Sequence, residues 1–123
     1  MKKIIIDLDG TLTVEDTNLP YDEKLPQEDV IQKLRIYKEL GFTIVIHSAR
    51  NMRTYEGNIG KINVHTLPKI LKWLTLHSVP FDEVVIGKPW CGEEGFYVDD
   101  RAIRPNEFIL LSPDEVLKKL SSK

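Results

Sequence analysis

At 123 residues the chain has the length of one domain that can still bury a sizeable core. Its 41% hydrophobic and 29% charged content excludes a disordered chain and a membrane span, and a formal net charge of −2 with no Lys/Arg stripe speaks against a nucleic-acid partner. The single cysteine, Cys91, forms no internal disulfide, and the apolar run after Lys2-Lys3 is too short for a signal peptide, so a cytoplasmic protein is the expectation.

Ile4-Ile5-Ile6 reads as a strand buried on both faces, running into Asp7-Leu8-Asp9 and a Gly10-Thr11 turn. Side chains alternate along a strand, so Asp7 and Asp9 crowd two negative charges on one side of its carboxyl end. Open α/β sheets keep their ligands at that edge. A divalent cation is the economical partner, and magnesium suits hard oxygen ligands while keeping waters for a phosphorylated substrate to displace. Residues 14–26 are polar, hold two prolines and show no period, which predicts a loop or small flap. From Gln27, the positions Val30, Ile31, Leu34, Tyr37 and Leu40 recur at three and four, with Gly41 placed to end an amphipathic helix. Phe42 to Ile46 form a second buried strand ending in His47-Ser48-Ala49-Arg50. Such a strand–helix–strand unit implies parallel pairing through a right-handed crossover, which sets Ser48 beside Asp7. His47 should face the opposite side as a buried imidazole.

Residues 51–65 are the least regular, and a long structureless loop in a compact domain is usually functional or mobile. Arg50 and Arg53 are placed there to meet a phosphate with planar guanidinium forks, Ala49 lies beside them, and Tyr55 and His65 are pocket residues by location. A helix resumes over 67–77 with Ile70, Leu71, Trp73 and Leu74 as its core face. Val84-Val85-Ile86 is a short third strand ending in Gly87-Lys88-Pro89, and a brief link leads to a fourth, Phe96-Tyr97-Val98, ending in Asp99-Asp100-Arg101. Adjacent acids at a strand end repel unless a cation holds them, and Arg101 is the rival to a metal there. Phe108 to Leu111 reads as a last, edge strand, and Ser112-Pro113-Asp114-Glu115 as a capping box opening a short closing helix.

DLDGT after an apolar strand, IVIHS, GKP and the Asp99-Asp100 pair resemble, in order, the four motifs of the haloacid-dehalogenase (HAD) superfamily. The resemblance implies a single HAD-like core domain over 1–123, a three-layer α/β/α sandwich on a Rossmann-like parallel sheet of order 3-2-1-4-5, with no large cap. It implies a magnesium-dependent phosphatase in which Asp7 attacks phosphorus, Asp9 is general acid and base, Ser48 and Lys88 bind the phosphoryl group, and Asp7, Asp9, Asp99 and Asp100 serve the metal. SARNMRTYEGN and GKPWCG further resemble small capless members connected with capsule and surface-polysaccharide synthesis, whose substrate would be a small phosphate ester such as a sugar or polyol phosphate.

Two other classes of protein share part of this pattern. A response-regulator receiver has similar length and residue types, but its acidic pair lies on the first strand, whereas the order here is acid, Ser, Lys, acid pair. A catalytically silent interaction domain would leave Asp7, Asp9, Ser48, Lys88 and Asp99 free to drift. Finally, with no lid and with Tyr55, Ile59, Ile62, Val64 and Trp90 in loops, a homo-oligomer, dimer or tetramer, is expected in which one subunit covers another's site.

Overall fold

The computed structural model describes residues 1–122. The chain divides into two compact units, Met1–Trp90 and the segment from Cys91 onward. The first is an α/β unit: β1 (Lys3–Asp7), α1 (Glu28–Glu39), β2 (Thr43–Ser48), α2 (Ile59–His65), α3 (Leu67–Leu76) and β3 (Glu83–Ile86). The strands form a parallel sheet in the order β1-β2-β3, with Ile5 level with Val45 and Val45 level with Glu83. This is the 3-2-1 part of the expected order.

β-branched residues fill the strands because they fit a pleated, half-buried surface. Both crossovers move across the sheet in the same direction, and right-handed connections therefore lay α1 and α2–α3 on one face. Arg35 of α1 accordingly donates to the carbonyl oxygens of His77 and Ser78 at the end of α3. That face holds the core: Ile6, Ile44 and Ile46 of the sheet are buried with Ile31, Leu34, Ile70, Trp73 and Leu74 of the helices. Leu71, expected among them, is partly exposed, and Ile62, expected in a loop, is fully buried on α2.

The opposite face is different. Ile5 is 63% exposed and Val85 43%, although Val45 between them is buried. β1 is therefore not covered on both sides as its sequence suggested.

Residues 51–57 form turns, with Asn51 and Glu56 at positive φ, and Asn58 then caps α2 by accepting from the Lys61 N–H. The irregular stretch is thus half helix. Its composition hid this because seven residues give too little period to read. The 14–26 segment is a loop, with a short 3-10 turn at Tyr21–Glu23 and a bridge between Thr13 and Pro26. The Trp73 indole N–H donates to the Lys24 carbonyl at 2.8 Å and ties this loop to α3.

The second unit overturns two expectations. Phe96 to Ala102 is not a strand, and Phe96, Tyr97 and Val98 are 78%, 50% and 87% exposed. Phe108 to Leu110 is helical, within α4 (Pro105–Leu110). Four apolar residues cannot separate strand from buried helix, and here Pro105 in the first turn and the Glu107 carboxylate closing on the Arg104 N–H start a helix. The closing helix, α5 (Pro113–Ser121), opens with the capping box read from Ser112 and Glu115. None of its described residues is buried.

Candidate active site

The carboxyl edge of the three strands gathers charge. The chain leaves β1 in a tight turn in which the N–H groups of Thr11, Leu12 and Thr13 all point at the Leu8 carbonyl, with Gly10 at φ 81°. Leu8 and Leu12, both fully buried, anchor that turn and leave Asp7 and Asp9 at the edge. Asp7 takes the Lys88 ammonium at 3.3 Å on one oxygen and the Thr11 hydroxyl at 3.2 Å on the other. Asp9 is held by Arg50 through two bonds, from Nε at 3.0 Å and Nη2 at 2.8 Å. Each acid thus has its own cation, and Coulomb repulsion between them is offset inside the unit.

Arg50 is 4% exposed and lies under the Tyr21 ring at 4.5 Å, a cation–π contact supplied by the 14–26 loop. Its Nη1 is buried and finds no hydrogen-bond partner among the described residues. Ser48 is 1% exposed, and its hydroxyl oxygen accepts the Arg50 N–H at 3.0 Å, which fixes the turn out of β2. The Lys88 N–H donates to the Ser48 carbonyl at 3.1 Å and carries the β2–β3 ladder one step further. Gly87 makes this possible: at φ 86° a Cβ there would stand 2.6 Å from Ile59 Cδ1. Lys88, whose position the shortened link had left open, is therefore directed at Asp7. Ser48 stands level with Leu8, since Asp7 pairs with His47.

His47 faces away from Ser48, on the side of Asp7, and is half-buried. Its imidazole is held below the ordinary value, first by desolvation, then by the nearby Lys88 charge, with Asp7 opposing. Thr11, bonded to Asp7, and Tyr21, stacked on Arg50, are the neighbours that sequence reasoning assigned no role, and His47 was expected only as a buried imidazole. Thr11 lay in the quoted motif, and Tyr21 had no signal beyond its place in the loop.

Ala49 lies between Ser48 and Arg50 and closes a turn through its carbonyl to the Met52 N–H. Arg53 is on the surface. Tyr55 and His65 face one another with ring centroids 5.7 Å apart. Asp99 and Asp100 belong to the second unit and are exposed, and the Asp99 carboxylate accepts the Arg101 N–H at 2.8 Å. Among the described residues no three His, Cys, Asp or Glu groups converge on one metal position. The oxygens of Asp7 and Asp9 are donors of the hard type magnesium takes, and they make a partial set.

An α/β unit with a parallel sheet, gathering two acids, a buried serine and two cations at its carboxyl edge, is the class that fold and site define. The chain is similar to a structural-genomics target protein from Vibrio cholerae, known from a crystal structure, at 59% identity over 98% of both chains and a TM-score of 0.95. It belongs to the same family as that protein. A chain of a Pnkp1/Rnl/Hen1 complex shares the fold at 23% identity, with 69% of this chain and 27% of that one covered and a TM-score of 0.51. A D,D-heptose 1.7-bisphosphate phosphatase from B. bronchiseptica, solved with magnesium and phosphate, matches at 18% identity over 78% of this chain and 54% of that one. Its TM-score of 0.48 is too slight a likeness to carry a statement about this chain. No protein-family model and no curated protein matches.

Proposed function

We propose that the protein is a magnesium-dependent phosphatase of the HAD type, acting on a small phosphorylated metabolite through an aspartyl-phosphate. The observation that carries this reading is the Lys88 ammonium 3.3 Å from one Asp7 oxygen, with Thr11 on the other, at the carboxyl end of β1. Lysine there orients the Asp7 carboxylate as a nucleophile and offsets charge on the incoming phosphoryl oxygens. The Asp7 carboxylate oxygen forms a bond to phosphorus as the bond to the leaving oxygen breaks. Asp9, once it has taken a proton from solvent, gives it to that alkoxide and then takes one from the water that cleaves the acyl phosphate.

Before it can do so, Asp9 must give up at least one bond to Arg50. An arriving phosphate is the natural competitor for that guanidinium, whose Nη1 has no hydrogen-bond partner among the described residues. Asp7, the Asp9 carbonyl and Asp99, with Asp100 through water, would hold magnesium, which when bound neutralises phosphoryl charge. The SARN and GKPWCG segments favour a sugar or polyol phosphate of surface-polysaccharide synthesis as substrate.

Hydrolysis of a generic aryl phosphate tests the reading. Activity should require magnesium, stop on chelation, and vanish in Asp7→Asn, which keeps shape and loses the nucleophilic charge. Asp9→Asn should slow turnover by roughly 10²–10⁴-fold. Full turnover by Asp7→Asn would remove it from the nucleophile's place.

A further inference from the structure

We infer that Arg50 and Lys24, beneath the Tyr21 turn, form a second anion subsite beside the phosphoryl position, so that the substrate is a phosphate ester carrying a further negative group, a carboxylate or a second phosphate. The inference rests on the phosphatase reading for the reacting phosphate, and on geometry for the subsite. The Arg50 side chain is 1% exposed, and Asp9 takes only the Nε–Nη2 edge of its guanidinium. The Nη1–Nη2 end is a second fork in the same plane, and its Nη1 is buried with no hydrogen-bond partner among the described residues. A buried donor left unmatched is costly. The oxygens of a carboxylate or a phosphate match such a fork two at a time.

Lys24 brings a second buried cation to the same place. It is 7% exposed, its ammonium donates to the Asp16 carbonyl oxygen at 3.1 Å, and among the described residues no carboxylate pairs with it. The Lys24 ammonium lies 5.4 Å and the Arg50 guanidinium 4.5 Å from the centre of one ring, that of Tyr21. The neighbouring acids leave this charge uncompensated: the Asp16 carboxylate accepts the Asn18 N–H at 2.9 Å, Glu15 lies against Gly10, and Glu15, Asp22 and Glu23 are exposed to screening by solvent. Two buried cations thus share one carboxylate, Asp9. A surplus positive charge out of water is the condition an anion relieves.

The cover over the subsite is light. The Tyr21–Glu23 turn buries none of its residues. The chain just after it is tied down, by the Trp73 indole N–H on the Lys24 carbonyl and the Val14 N–H on the Leu25 carbonyl, both at 2.8 Å. Tyr21 therefore lifts from the guanidinium while Lys24 keeps its place. An anion on the Nη1 end shares the guanidinium with Asp9 and loosens the bond that Asp9 must give up. Arg50 and Lys88 are anchored on acids two residues apart, about 7 Å along an extended chain. A sugar or polyol chain of roughly three to six carbons spans the two positions.

Matched compounds test this. 6-Phosphogluconate differs from sorbitol 6-phosphate by a terminal carboxylate, and fructose 1,6-bisphosphate from fructose 6-phosphate by a second phosphate. With magnesium, kcat/KM for the more charged member of one pair should exceed its twin's by roughly 10- to 100-fold, and which pair shows the gap tells carboxylate from phosphate. The gap should close in Arg50→Met and in Lys24→Met, and persist in Lys24→Arg, which keeps the charge. Equal turnover within both pairs overturns the subsite and leaves the phosphatase reading standing. Calorimetry with the same compounds separates the two claims: Asp7→Asn should bind the more charged twin more tightly without turnover, and Asp7→Asn/Lys24→Met should not. That preference in a wild type that hydrolyses nothing would remove the phosphatase reading and keep the subsite, whereas equal affinities would overturn the subsite.

Discussion

A buried guanidinium is costly unless its donors are matched, and Arg50 is matched mainly by Asp9. The two partners are unequal: the arginine side chain is 1% exposed and the aspartate 24%. Removing the aspartate strands a buried charge, whereas removing the arginine leaves a carboxylate that water can reach. Asp9→Ala should therefore destabilise the protein by about 3–5 kcal/mol, and Arg50→Met by clearly less. Urea midpoints of the two variants check the order, and equal losses would mean that the pair is not governed by burial. The sequence made Arg50 a substrate-facing cation, and nothing in it pointed to Asp9. The two lie 41 positions apart, and only the register of β1 against β2 brings them to one edge. Lys88 was legible in its motif, and Gly87 gives the reason it reaches Asp7.

At the scale of elements, Asp82 locks three of them together. Its N–H donates to the Ile44 carbonyl, its carboxylate accepts the Ile44 N–H at 2.8 Å, and Lys38 of α1 binds both oxygens at 2.6 and 2.7 Å. The Ile44 N–H first, and then Lys38, hold this carboxyl below its ordinary 3.8. A carboxylate with a lowered native value adds stability above its unfolded value and loses it as pH falls through the native one. The unfolded chain binds more protons across that window, so stability must fall toward acid. Asp82→Asn removes this contribution, and its stability should decline less steeply than the wild type's below about pH 4. Urea unfolding from pH 7 to pH 2 reads the slopes, and parallel curves would show that Asp82 adds nothing to acid sensitivity. β1, α1, β2, α3 and β3 were all readable because each carries a clean period or a β-branched run. Phe108 to Leu111 misled because four apolar residues have no period, and the proline three residues earlier outweighed their β preference.

For the whole molecule, parallel pairing was written in the strand–helix–strand spacing, whereas the order 3-2-1 was implied by the resemblance of the motifs to the HAD superfamily. The conformation of Phe96-Tyr97-Val98 was not legible, since three β-forming residues do not by themselves make a strand. If two copies share each site, specific activity should fall on dilution as the dimer dissociates, in step with the dimer fraction seen by sedimentation. Constant activity in a sample that sediments as monomer would count against sharing.

If the proposed mechanism holds, Asp7 becomes phosphorylated during turnover. Acid quenching during turnover with a small acyl phosphate, borohydride reduction and peptide mapping reads this directly. A modified Asp7 is expected in the wild type, a larger amount in Asp9→Asn, where the water step is slowed, and none in Asp7→Asn. Modification at Asp99 or Asp100, or unchanged labelling in Asp7→Asn, would contradict it.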